Sequence, residues 1–265
     1  MRIIHHDLFF MSKTNGILIS YDESFSRKNY ENQIKYLNYK KEFIDYKNRV
    51  YKSLDKVSNN YQYFLCDNRY SNKFSFLGNY IKINGKNFIS PNRYTLNQVE
   101  NNLFSLIEYK GLYRFPTGYG FIINNSDLLA IDIDCKEQLD ALKEICPNIV
   151  EESKFKRVNI GRKDRVHLYF KRPPNYTTPK KIRRLNMKNK SRDIWICGFE
   201  FQTHPLVCET SHIFRDPSDG FNYDVVGHIN DINYLPQSIM NKILEDDIIS
   251  NEDLQTNKQH YYEDL

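Results

Sequence analysis

Apolar residues recur along this chain at two different periods, and the change of period gives the first view of its organisation. Between residues 28 and 58, Tyr36, Tyr39, Phe43, Tyr46, Val50, Leu54 and Val57 follow one another at steps of three and four among Lys, Asn and Asp. That spacing predicts an amphipathic helix or helix pair. From residue 62 to 90 the reading changes to strands: Tyr63-Phe64-Leu65, Phe74-Ser75-Phe76-Leu77 and Tyr80-Ile81-Lys82-Ile83. Asn84-Gly85 supplies a hairpin turn before Asn87-Phe88-Ile89. Thr95 precedes Leu96, Val99, Leu103 and Leu106, which share one helical face, so a capped helix is predicted from there to about Tyr109.

The second half alternates strand-like and helix-like segments. Strands are predicted at 127–134, 156–160, 165–171, 194–202 and 205–209, and helices at 136–145 and from Pro236 to about Glu245. Pro179, favoured at a first helical position, predicts a short basic helix to about Met187. The pattern is that of an α+β protein with an antiparallel-rich sheet. We divide it into an N-terminal α/β module over residues 1–110, a second domain over 111–245, and an acidic tail over 246–265.

Chemistry enters with Leu128-Leu129-Ala130-Ile131-Asp132-Ile133-Asp134. Side chains two apart on a strand leave the same face, so Asp132 and Asp134 project together while Ile131 and Ile133 face a core. Paired carboxylates repel unless a cation lies between them, and hard divalent cations prefer oxygen ligands. In Val166-His167-Leu168-Tyr169-Phe170 the apolar residues share one face, leaving His167 and Tyr169 on the other. In Gly198-Phe199-Glu200-Phe201-Gln202, Glu200 alternates with phenylalanines. If these strands pair with the Asp132 strand, three carboxylates and a histidine gather on one face, a site for one or two divalent metals. Taken singly, each has a plainer reading: a solvated edge strand, a hydrogen-bonded core histidine, a surface glutamate. Tyr169 either stacks on a base or sugar or packs in the core.

Charge is distributed unevenly. The total is 38 Lys and Arg against 33 Asp and Glu, a mild excess. From Lys154 to Arg192, however, there are fifteen basic residues and one acid, Asp164, whereas Glu245 to Leu265 holds seven acids and Lys258. A basic block between strands that carry the polar groups attracts a polyanion through phosphate contacts, although a solvated loop has the same composition. Aromatic residues interleaved with basic ones also suit single-stranded nucleic acid. The five cysteines form no CxxC pair, which leaves a structural zinc site unsupported. Their odd number and the lack of a signal-peptide pattern point to a reducing, intracellular setting, expected to be the cytoplasm. No apolar run approaches the ~20 residues that span a membrane. A G-x-x-x-x-G-K-[ST] sequence is missing, so the chain carries no P-loop helicase motor.

The ordered set Pro116-Thr117-Gly118-Tyr119-Gly120, Ile131-Asp132-Ile133-Asp134, Gly161 to Phe170, Phe199-Glu200-Phe201-Gln202, Glu209-Thr210-Ser211-His212 and Gly220-Phe221-Asn222-Tyr223 resembles the bifunctional primase–polymerase branch of the archaeo-eukaryotic primase superfamily. The resemblance covers about residues 112–240. The chain departs from the family pattern in Arg165 before the histidine motif, in Glu200 where an Asp is common, and in Glu209-Thr210 where the family has a proline pair. The resemblance implies an RRM-like catalytic core over 111–245 and template-directed DNA primase and polymerase activity on single-stranded DNA. It implies Mg²⁺ or Mn²⁺ held by Asp132, Asp134 and Glu200, and a nucleoside triphosphate contacted by His167, Arg162 and Arg165, with Ser211 and His212 completing the pocket. Lys180, Lys181, Arg183 and Arg184 are our choice for template or primer phosphates, and unwinding is left to a helicase in trans or in a longer polypeptide. Two other classes use parts of the same residue set: a metal-dependent nuclease, and a non-catalytic module that binds single strands through the basic block.

Overall fold

The computed structural model describes residues 27–67, 77–83, 86–110, 112–123, 126–173, 184–185, 194–197, 210–214 and 223–243. It is a mixed α+β protein with antiparallel sheets that separates into two compact units interleaved along the sequence. Residues up to 55, 59–121 and 212–221 belong to the first unit; residues 56–58, 122–211 and those from 222 onward belong to the second. This differs from a single boundary near residue 110, because two strands after that point, 116–122 and 210–214, join the N-terminal sheet.

In the first unit, α1 (Arg27–Leu37) and α2 (Lys41–Leu54) realise the three-four spacing. Phe43, Tyr46, Val50 and Leu54 are buried along one face of α2, as the 3.6-residue period requires. Next come β1 (Gln62–Asp67) and the hairpin of β2 (Gly78–Ile83) and β3 (Lys86–Pro91). Ile83 pairs with Lys86, and the predicted Asn84-Gly85 turn lies outside the described residues. α3 (Leu96–Asn102) opens with a capping box in which Thr95 accepts from Gln98 N–H and the Gln98 side chain accepts from Thr95 N–H.

This helix ends well short of Tyr109. Leu103 is extended and Phe104 has a φ of +56°, so the chain turns out of the helix and leaves Leu106 outside it. The turn delivers the Phe104 ring to an aromatic cluster: it meets Phe43 edge-on at 5.8 Å and Tyr46 at 6.2 Å. Aromatic packing of this kind contributes about 0.5–1.5 kcal/mol per pair beyond burial, enough to end a marginal helix. The short hairpin of β4 (Ile107–Tyr109) and β5 (Leu112–Arg114) follows.

The main sheet of this unit has the order β1, β6 (Pro116–Ile122), β12 (Thr210–Phe214), the last numbered by its place in the chain. Two tyrosines tie it to α2. Tyr46 Oη donates to the Thr117 carbonyl at 2.6 Å. Ser53 Oγ donates to the Val50 carbonyl and lies 2.6 Å from Tyr119 Oη, so the tyrosine is the donor in that pair.

The second unit is built on a six-stranded, wholly antiparallel sheet. Its strands are β7 (Leu128–Ile133), β8 (Phe155–Asn159), β9 (Val166–Lys171), β10 (Arg184–Leu185), β11 (Ile194–Cys197) and β13 (Tyr223–Gly227), in the spatial order β10-β11-β7-β9-β8-β13. Helices α4 (Lys136–Ile145) and α5 (Ile149–Glu152) and a helix at 237–243, α6, pack on one face. The core there joins Leu129, Ile131 and Ile133 to Val166, Leu168 and Phe170, to Ile194 and Ile196, and to Leu142, Ile149 and Ile239 from the helices. Alternate residues on each strand therefore face the helices, and the intervening ones form the opposite face.

Of the basic helix predicted over 179–187, Arg184 and Leu185 form a strand instead, pairing with Trp195 and Ile194; the rest of that range lies outside the described residues. Among the described residues, no helix is long and apolar enough to cross a membrane.

Gly227 closes β13 opposite Phe155 with a φ of +82°, and a Cβ there would lie 1.6 Å from the Lys154 carbonyl oxygen. Gly227→Ala combines left-handed strain with a backbone clash, so we expect a loss of more than about 2 kcal/mol in denaturant unfolding. Thr95→Ala removes one half of the capping box and is expected to cost about 1 kcal/mol by the same measurement.

Candidate active site

The polar face of the second sheet is organised in rows that cross the strands. One row sets Trp195 beside Asp132, Asp132 beside His167, His167 beside Arg157, and Arg157 beside Val225. The neighbouring row sets Ala130, Tyr169 and Phe155 side by side. It is apolar: Tyr169 and Phe155 are fully buried, their rings 5.2 Å apart. Tyr169 thus takes the packing role of the two open to it. The polar row is the one nearer the end of β7 from which Asp134 emerges.

That end is held by several hydrogen bonds. The Asp134 N–H donates to Gln138 Oε1 at 2.7 Å, joining the strand end to the first turn of α4. Arg165 Nε donates to the Asp134 carbonyl at 3.0 Å. Across the β8–β9 connection, Asn159 Oδ1 accepts from the N–H groups of Gly161 and Arg162 at 3.0 and 2.9 Å. This is the local side-chain turn that Asn favours. The loop is thereby shaped beside the Asp-x-Asp segment, and Arg165 braces it.

His167 is the centre of the polar row. It is 8% exposed. Its Nε2 lies 2.6 Å from Asp132 Oδ1 and 2.6 Å from Arg157 Nη2. One ring nitrogen cannot donate to Asp132 and accept from Arg157 at once, so the two neighbours favour opposite tautomers of a neutral ring. Burial, first, and the Arg157 charge, second, hold the His167 pKa below the ordinary imidazole value, while Asp132 and, more weakly, Asp134 oppose that shift. Both carboxylates of the motif therefore act on the same imidazole. The Asp132 side chain keeps about a third of its surface open to solvent, and Asp134 is exposed.

Arg157 is the residue that sequence reasoning missed. Its guanidinium carbon lies 4.2 Å from the centroid of the Tyr223 ring, a cation–π stack that fixes the group beside His167. Its alternation with Phe155 and Asn159 puts the three on one face of their strand, and the pairing with the histidine strand makes that the His167 face.

The other expected residues fall in different places. Arg162 pairs with Asp164 at 3.1 Å on an exposed loop, and Arg165 binds backbone. Ser211 and His212 stand on β12, in the sheet of β1 and β6 rather than that of Asp132. Arg184 stands on β10. Glu200, Lys180, Lys181 and Arg183 lie outside the described residues. Over its described residues β11 runs from the level of Asp132, at Trp195, to that of Ala130, at Cys197, away from Asp134. Among the described residues no group of three His, Cys, Asp or Glu side chains is placed to hold a metal ion. Asp132 and Asp134 suit a hard divalent cation as two oxygen donors, and a further protein donor has to come from elsewhere.

In the metal-free protein the His167 resonances are expected to titrate below the ordinary value near 6.5, and Arg157→Gln is expected to move the midpoint upward. Because the fold favours the neutral ring, the stability linked to His167 is complete above the ordinary value and is lost as pH falls below it. NMR titration read beside denaturant unfolding checks both directions. No protein-family model matches the chain, and no curated protein matches it in sequence, so its functional reading rests on this geometry and on the motifs.

Proposed function

We propose that the chain is a metal-dependent nucleotidyltransferase that builds DNA on a single-stranded template, starting or extending a primer. The observation that carries the reading is the cross-strand pair of Asp132 and His167 at the open end of β7. The spacing of two short motifs thirty-odd residues apart has no local reason to make them meet, and the antiparallel register brings them to a 2.6 Å contact. The antiparallel sheet with helices on one face is compatible with the RRM-like core that the motif resemblance implies.

In this reading Asp132 and Asp134 hold Mg²⁺ or Mn²⁺, with Glu200 as the expected third ligand. Such an ion, when bound, lowers the pKa of an attacking 3′-hydroxyl and neutralises charge on the departing pyrophosphate. The protein's own part is positioning. Gln138 and Arg165 fix the backbone of Asp134 from two sides, so that its carboxylate leaves the strand in a defined direction. His167, buried and neutral, offers a hydrogen bond to a phosphate oxygen without adding a net charge that would repel the cation. The apolar Ala130–Tyr169–Phe155 row backs the polar row and stiffens it. The basic residues of 180–184 would contact template or primer backbone.

The test is incorporation of labelled nucleotide on single-stranded DNA, with and without primer, using NTPs and dNTPs separately in Mg²⁺ or Mn²⁺. Wild type is expected to make product, and Asp132→Ala and Asp134→Ala to lower the rate by roughly 100-fold or more. Glu200→Ala reports on the third ligand independently. DNA cleavage without nucleotide would favour a nuclease. DNA binding that is indifferent to Asp132→Ala, with no synthesis, would leave a binding module.

A further inference from the structure

We infer that Arg157, stacked on Tyr223, grips the distal phosphates of the incoming nucleotide and makes the site selective for triphosphates over shorter phosphate chains. The inference rests on the nucleotidyl-transfer reading and adds a residue and a selectivity to it.

The order of groups on the sheet supports it. Asp132, His167 and Arg157 occupy three adjacent strands at one register level, so acid, imidazole and guanidinium form a line. Neighbouring strands lie about 4.8 Å apart, which puts the Arg157 backbone roughly 10 Å from that of Asp132. A phosphate chain with its reacting end at the carboxylates passes His167 and ends at the guanidinium.

The surroundings of Arg157 suit this role better than those of the two arginines favoured by sequence. Arg162 is exposed, already faces Asp164 at 3.1 Å, and is screened by solvent. Arg165 spends its Nε on the Asp134 carbonyl. Arg157 is half-buried and oriented by the Tyr223 ring below it and by His167 beside it. A planar guanidinium fixed in this way can present paired donors to phosphate oxygens, which lysine cannot. In a partly desolvated setting those bonds are stronger than at the surface.

The crowding at His167 Nε2 adds a second argument. That nitrogen sits between an acceptor, Asp132, and a donor, Arg157, and can satisfy only one of them. A phosphate oxygen placed over the row takes the Arg157 donor and allows Nε2 to carry its proton toward an acceptor. A polyanion lying along the row relieves the conflict from the Arg157 side, as a cation on Asp132 relieves it from the other.

The experiment measures equilibrium binding of dATP, dADP and dAMP in Ca²⁺, together with kcat and KM for dATP in primer extension. Wild type is compared with Arg157→Gln, Arg157→Lys and Tyr223→Leu. Arg157→Gln is expected to weaken dATP binding about 10- to 100-fold and to leave dAMP binding within about 2-fold. Most of the kinetic loss should then appear in KM. Arg157→Lys should restore part of the dATP preference, and Tyr223→Leu, which keeps the charge but removes the stack, should lie between. A merely structural role would weaken all three nucleotides together. If wild type synthesises DNA while Arg157→Gln and Arg157→Lys both keep the wild-type ratio of dATP to dAMP affinity, the inference is overturned and the nucleotidyl-transfer reading survives. If wild type neither binds dATP nor synthesises DNA, both fall. Should the glutamine variant fail to fold, the lysine and Tyr223 variants carry the same comparison.

Discussion

The candidate site depends on the register between β7 and β9. Because side chains alternate strictly along a strand, sliding one strand by a single residue would turn Asp132 or His167 into the helix-packed core and bring Ile or Leu to the polar face. The register is held by the same alternation on the other side: Leu129, Ile131 and Ile133 against Val166, Leu168 and Phe170, all buried under α4, α5 and α6. A slip would expose several large apolar side chains at roughly 1.5–3 kcal/mol each. The chemistry on one face is thus positioned by packing on the other.

The same logic explains how charged groups are tolerated in the row. A half-buried arginine and carboxylate on the two strands that flank β9 would each be costly alone. They stand either side of a buried imidazole that can serve one of them at a time, and Tyr223 covers the guanidinium with a π surface. The row offers little slack, which suits a site that has to hold a flexible polyanion in one arrangement.

Much of this arrangement was legible in the sequence wherever one period ran without competition. α4 occupies 136–145 as its pattern predicts, and the alternation in residues 128–134 and 166–170 assigned Asp132 and His167 to one face before any pairing was known. Reading failed where tertiary contacts overrode local pattern. The periodic Leu96, Val99, Leu103 and Leu106 promised a longer α3, but Phe104 is worth more in its aromatic cluster than in another helical turn. Arg157 was hidden because Lys156, Arg157 and their basic neighbours read as a solvated charge block. Only strand pairing distinguishes Lys156, beside Leu168, from Arg157, beside His167. Ser211 and His212 were grouped with the other motifs by sequence order, which carries no information about which of two sheets a strand joins.

The placement of β12 bears on how the molecule can assemble during synthesis. β6 is the middle strand of the first unit's sheet, and one of its two neighbours is encoded only at 210–214, after most of the second unit's strands. Until that segment leaves the ribosome, β6 has an open edge, a template for pairing with other chains. Closing so long a loop is also slow compared with local pairing. The first unit therefore completes its sheet late, even though it begins first. A nascent chain stalled before residue 210 would present that edge to chaperones, and dissecting the protein by cutting between β6 and β7 would separate a sheet from its own third strand.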